Sequence, residues 1–196
     1  MRKGILTVFV FALAVISVTS ANAQLVDRFE GTVVVYGSGM NTRLVTSDFN
    51  IVLNGRTSDA ESDRYHQILK TSGQDKLAEE LKKNDLGRVQ FGSRLGPTVV
   101  AAFERPDGDK TRLMVVFERW ITFGELRAGA RSVDFPFGVF EIVFEPGKKN
   151  GEGTFIGAAR VKLGEDDDGK EEIQLEGFGT FPGKVMGVRM TDRRAP

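Results

Sequence analysis

Between Glu118 and Gly138 the chain gathers its only tryptophan, Trp120, with Phe123, Phe135 and Phe137, arginines at 119, 127 and 131, and the acids Glu125 and Asp134. Rings and guanidinium groups together suit recognition, because they offer large contact area and planar donors at small entropic loss. The segment supplies the candidate binding residues Arg119, Trp120, Phe123, Arg127, Arg131, Asp134 and Phe137. The same composition also describes an inter-strand connection whose aromatics plug the end of a sheet while its arginines pair with neighbouring acids. Pro136 holds Phe135 extended, so Asp134-Phe135-Pro136-Phe137 is expected to restart a strand.

Other chemistry is sparse. Gly37-x-Gly39 is followed at the third fingerprint position by Thr42, Gly151-x-Gly153 by Ile156 and Gly177-x-Gly179 by Pro182, so no dinucleotide fingerprint is complete. Aligning Gly169 with the obligatory glycine of a calcium loop puts Gly164 at the first ligand position and Leu175 at the bidentate glutamate position. Both ends fail, and Glu165 to Gly169 reads as a solvated turn. His66 is the sole histidine and there is no cysteine, which excludes disulfides, thiolate zinc sites and a cysteine nucleophile. Paired carboxylates could still hydrolyse glycosides, but the glutamates mostly alternate with apolar residues and read as a solvated face. No catalytic residue, metal ligand or cofactor is assigned.

Period-two alternation dominates the elements that must position these side chains. Phe29, Val33 and Val35 share one face of a strand, and Val45, Phe49, Ile51 and Leu53 align after the Gly37-Ser38-Gly39 turn, giving a first hairpin. Residues 98–104 and 111–120 flank Pro106-Asp107-Gly108-Asp109 as a second. Phe140, Ile142 and Phe144 oppose Glu141 and Glu145. Phe155, Ala159, Val161 and Leu163 are set against Arg160 and Lys162, Ile173, Leu175 and Gly177 alternate with acids, and Lys184 to Met190 closes the sheet. From Thr57 to about Asn84 the spacing turns helical: Tyr65, Ile68 and Leu69, then Leu77, Leu81 and Leu86. Ser58 with Glu61 starts a capping box and Gly73 ends the first of two short helices, which would form a lid or plug on the sheet.

Residues 1–23 read as a cleavable export signal. Arg2 and Lys3 precede the apolar Ile5 to Ile16, and Ala21-Asn22-Ala23 makes a small-residue cleavage site before Gln24. An apolar run of about a dozen residues is short of the ~20 a membrane-spanning helix needs. The remaining 24–196 suit one β-rich domain, with acids slightly outnumbering bases once Arg2 and Lys3 are removed. That balance gives no electrostatic footprint for nucleic acid.

The chain resembles a group of uncharacterised exported bacterial proteins through Gly73-Gln74-Asp75-x-Leu77, Leu86-Gly87-Arg88, Ile121-Thr122-Phe123-Gly124-Glu125, Val133-Asp134-Phe135-Pro136-Phe137 and Gly151-Glu152-Gly153. Gly124 stands where the group carries an aromatic residue. The resemblance implies a single domain and brings no activity with it. The expected fold is mainly β (α+β), an antiparallel β-barrel or β-sandwich with a two-helix insert over 57–84. The expected function is that of an exported, non-enzymatic binding module, periplasmic or secreted. It would hold a small apolar molecule inside the sheet or a protein partner at Trp120 to Phe137. A structural envelope component and a carboxylate-dependent hydrolase are the alternatives.

Overall fold

A computed structural model describes residues 26–36, 44–119, 127, 129–165, 171–178 and 182–194. The expected leader over 1–23, the expected turn at Gly37-Ser38-Gly39, Asp166 to Gly169, Trp120 and Phe123 lie outside the described residues. Among the described residues nine strands form one antiparallel sheet: β1 (Val26–Tyr36), β2 (Leu44–Leu53), β3 (Gly87–Phe91), β4 (Val99–Asp107), β5 (Lys110–Glu118), β6 (Phe137–Phe144), β7 (Asn150–Glu165), β8 (Glu171–Gly177) and β9 (Gly183–Arg194). Their order is β3-β2-β1-β9-β7-β6-β5-β4, with β8 on the far part of β7.

Both expected hairpins form. β1 and β2 pair from Tyr36 with Leu44 to Asp27 with Leu53. β4 and β5 pair out to Asp107 with Lys110, so the turn shortens to Gly108-Asp109, and Pro106 lies within β4 opposite Thr111. β4 ends the strand order, where a missing backbone donor is tolerated.

The sheet curls into a half-barrel that brings its outer strands together. The Leu86 amide donates to the Val99 carbonyl at 2.9 Å and the Val89 amide to the Pro97 carbonyl at 3.1 Å. A β-carbon on Gly96 would stand 1.5 Å from the Val89 carbonyl oxygen, so this approach needs glycine.

The concave side is packed with phenylalanine. Phe29 meets Phe144 at a centroid distance of 5.8 Å, and Phe49 and Phe155 each meet Phe140 at 4.7 Å, all three pairs tilted, with Phe91 and Phe117 beside them. Ile51, Leu53, Leu113 and Ile142 fill in between. Each such side chain stabilises the fold by about 1.5–3 kcal/mol through burial.

The convex side carries a second core. The expected two-helix insert runs as one helix, α1 (Asp59–Leu81), and the expected break falls inside it: Gly73, at φ 78° and ψ −178°, leaves the helical conformation and divides α1 into two halves across a kink. α1 is also no lid: it lies on the outer face, where Tyr65, Leu69, Leu77, Ala78 and Leu81 pack on Val100, Ala101, Val116, Phe137, Val139 and Ala159. Covering both faces of the sheet explains why Val99 to Ala102 and Phe137 to Phe140 are buried without alternation. Among the described residues no helix is long and apolar enough to cross a membrane.

A bulge in β7 corrects one more expectation. Phe137 pairs with Ala159 but Val139 with Ile156, which leaves one extra residue on β7. Phe155 therefore packs with the concave core while Ala159, Val161 and Leu163 join the helix side, although simple alternation put all four on one face.

Candidate functional site

β6 ends opposite Ala159, but β7 runs on with β8, pairing Val161 with Leu175 and Leu163 with Ile173. This two-stranded ribbon projects past the sheet beside α1. The first half of α1 is fixed at its start by the capping box: the Ser58 amide donates to the Glu61 carboxylate at 2.9 Å, and the Ser58 hydroxyl accepts from the Glu61 amide at 3.3 Å. Between the ribbon, α1 and the outer face of β4 and β5 lies a groove of about 870 Å³. Cross-strand partners Phe103 and Met114, with Ile173 and Leu175 from β8, give it an apolar lining. Ser62, Asp63, His66, Arg105, Arg112, Lys162 and Glu176 supply its polar lining.

Most of these charges are already engaged. Arg112 donates to Asp107 at 2.5 Å and to Glu141, and the two carboxylates raise its pKa further. Lys162 pairs with Glu176 at 3.4 Å, and Arg160 reaches the same carboxylate at 2.9 Å. Hydrogen bonds from Arg160 hold Glu176 below the usual carboxylate range, with Lys162 adding to the effect. Arg105 differs. Its guanidinium donates to the Ser62 hydroxyl at 3.1 Å and lies 5.9 Å from the Phe103 ring centre, and no carboxylate among the described residues is within ion-pair distance of it.

The described residues of the segment singled out in sequence take different places. Arg119 is half-buried, its side chain donating to the Ser132 carbonyl at 3.0 Å and its amide to the Pro136 carbonyl at 2.9 Å. It lines a smaller hollow of about 280 Å³ at one mouth of the half-barrel, with Phe91, Phe117 and Phe155. Arg127, Arg131 and Asp134 are exposed, whereas Phe137 is 1 % exposed and belongs to the core beneath α1. Residues 131–134 form a short 3-10 turn before the strand restarts at Phe137. Gln74 links this turn to β7: its side-chain amide donates to the Asp134 carbonyl at 3.1 Å, and its oxygen accepts from the Val161 amide at 2.7 Å, where β6 no longer supplies a partner.

Sequence reading missed Phe103, Arg105, Met114 and Lys162. A signal existed in Phe103 and Met114, apolar residues on the strand face opposite that of Ala102, Leu113 and Val115. Among the described residues no three His, Asp or Glu side chains converge in a way that could hold a metal ion. Glu61, Glu79, Glu80, Glu145 and Glu176 are each held below the usual carboxylate range by a hydrogen-bond donor. Comparison with family models, with curated proteins and with solved structures gives no match.

Proposed function

We propose that the protein is an exported, non-enzymatic binding module that holds a small amphiphilic molecule in the groove between α1 and the β7–β8 ribbon. The observation that carries this reading is the groove itself, about 870 Å³ with Phe103, Met114, Ile173 and Leu175 exposed to an occupant. That volume lies in the range of small-molecule sites, which combine an apolar lining with few polar groups. Close packing of phenylalanine rings on the concave side favours the outer groove over the interior. Export rests on the leader over 1–23 and on the resemblance to exported bacterial proteins, and it predicts a mature chain starting at Gln24 in the periplasm or medium.

The test is a titration of the mature protein with decanol, an uncharged apolar probe, followed by amide NMR. The reading expects saturable shifts centred on Phe103, Met114, Ile173 and Leu175, weakened several-fold by Phe103→Ala. Shifts confined to other surfaces, or no binding of any apolar probe, would overturn it. N-terminal sequencing of the protein recovered outside the cytoplasm tests the export half, and an intact Met1 start there removes it.

A further inference from the structure

We infer that the groove selects an anionic amphiphile, a carboxylate on an apolar chain, with Arg105 holding the head group. This rests on the binding reading above and adds the ligand's charge. The polar lining contains four cationic or ionisable nitrogen groups, His66, Arg105, Arg112 and Lys162. Arg112 is held by Asp107 and Glu141, and Lys162 by Glu176, so binding an anion there would compete with ion pairs already made. Among the described residues Arg105 has no such pair to break.

Arg105 is also already placed. The Ser62 hydroxyl on α1 and the Phe103 ring beneath hold the guanidinium at the edge of the apolar lining. One donor is engaged with Ser62, and the planar fork keeps further donors for a two-point bond to a carboxylate. Side-chain entropy that a free arginine would lose on binding is partly spent beforehand. The juxtaposition fixes the geometry of the ligand: its charge at Arg105 and its chain over Phe103, Met114, Leu175 and Ile173. Asp63, the acid on the α1 side of the groove, is exposed and would favour the opposite charge. The two charges therefore make opposing predictions for the head group.

Three ligands of equal chain length separate the outcomes: decanoate, decanol and decylammonium, each titrated by calorimetry below its micelle concentration at pH 7.5. The inference expects decanoate to bind about tenfold more tightly than decanol, as a charge-assisted hydrogen bond provides. Arg105→Gln is expected to remove that advantage, and an unfolding midpoint in urea matching the parent's shows that the variant is folded. Equal affinity for all three, or tightest binding of decylammonium, overturns the inference and leaves the binding reading standing. Failure of all three to bind overturns the binding reading itself. Binding only to anionic phospholipid vesicles, with none to free decanoate, also overturns the proposal, because the groove is assigned a single detached molecule.

Discussion

Gln74 performs a task usually given to a strand. Where β6 stops, the Val161 amide would face an open edge, and the Gln74 side chain satisfies it while tying the Asp134 carbonyl to the same helix. Gln74→Ala leaves a half-buried backbone donor without its acceptor and is expected to cost about 1–3 kcal/mol in urea unfolding. Gln74→Glu keeps the acceptor for Val161, loses the donor to Asp134, and should recover part of that cost. The capping pair gives a pH-dependent counterpart. The Ser58 amide, and after it the Ser58 hydroxyl, hold Glu61 below its ordinary pKa. A carboxylate lowered by folding adds stability that is present above its unfolded pKa and is lost as pH falls through its folded value. Glu61→Gln should therefore destabilise at pH 7, and its deficit against the parent should close on acidification through the folded pKa. Ser58→Ala, which removes the cap, should cost about 1 kcal/mol at pH 7.

Helix α1 shows how much an element can be read before its surroundings are known. Its capping box, its apolar stripe and the break at Gly73 are all written in local residue types. Chain continuation through that break is not, because both halves find apolar surface on the same sheet: Tyr65 and Leu69 before the kink, Leu77 and Leu81 after it. Asn84, just beyond the helix, donates both to the Tyr65 hydroxyl at 2.8 Å and to the Val100 carbonyl at 2.9 Å, fastening the end of the insert to its beginning. The combination of φ 78° and ψ −178° at Gly73 is essentially open to glycine alone, so Gly73→Ala should lower stability by about 1–3 kcal/mol although space around it is open. Leu69→Ala and Leu77→Ala should each cost about 2–5 kcal/mol, by chemical unfolding. A loss at Leu77 alone would mean that only the second half is docked.

In the whole molecule, one sheet supports two cores and the groove belongs to the convex one. Phe140 contacts Phe49, Phe91, Phe117 and Phe155 on the concave side, so Phe140→Ala is expected to cost about 3–5 kcal/mol. The ribbon should be more tolerant, because β8 pairs with β7 alone and Ile173 is already 47 % exposed. Ile173→Ser should change the melting temperature little yet weaken decanol binding, and a large drop in melting temperature with unchanged binding would refute that separation. Native mass spectrometry of the protein purified from its own cells should show an excess mass that disappears on unfolding.

Alternation, turn residues and caps were enough to establish antiparallel strands, two hairpins and a helical insert between β2 and β3, because each depends on neighbours within a few residues. The Phe140, Ile142 and Phe144 face was legible for that reason. Phe137 was not: its aromatic neighbours suggested a recognition segment, and only the docking of α1 on the outer face made it a core residue. The bulge opposite Phe137 was equally hidden, since inserting one residue reverses every later side chain in β7 without altering its composition. The groove is a product of such distant choices. Arg105, Ser62 and Leu175 carry no shared local pattern, and they meet because the sheet curls, α1 lies outside it and β7 outlasts β6. Local propensity is fixed by adjacent residues, whereas the partners of a side chain are fixed by which surfaces remain to be buried.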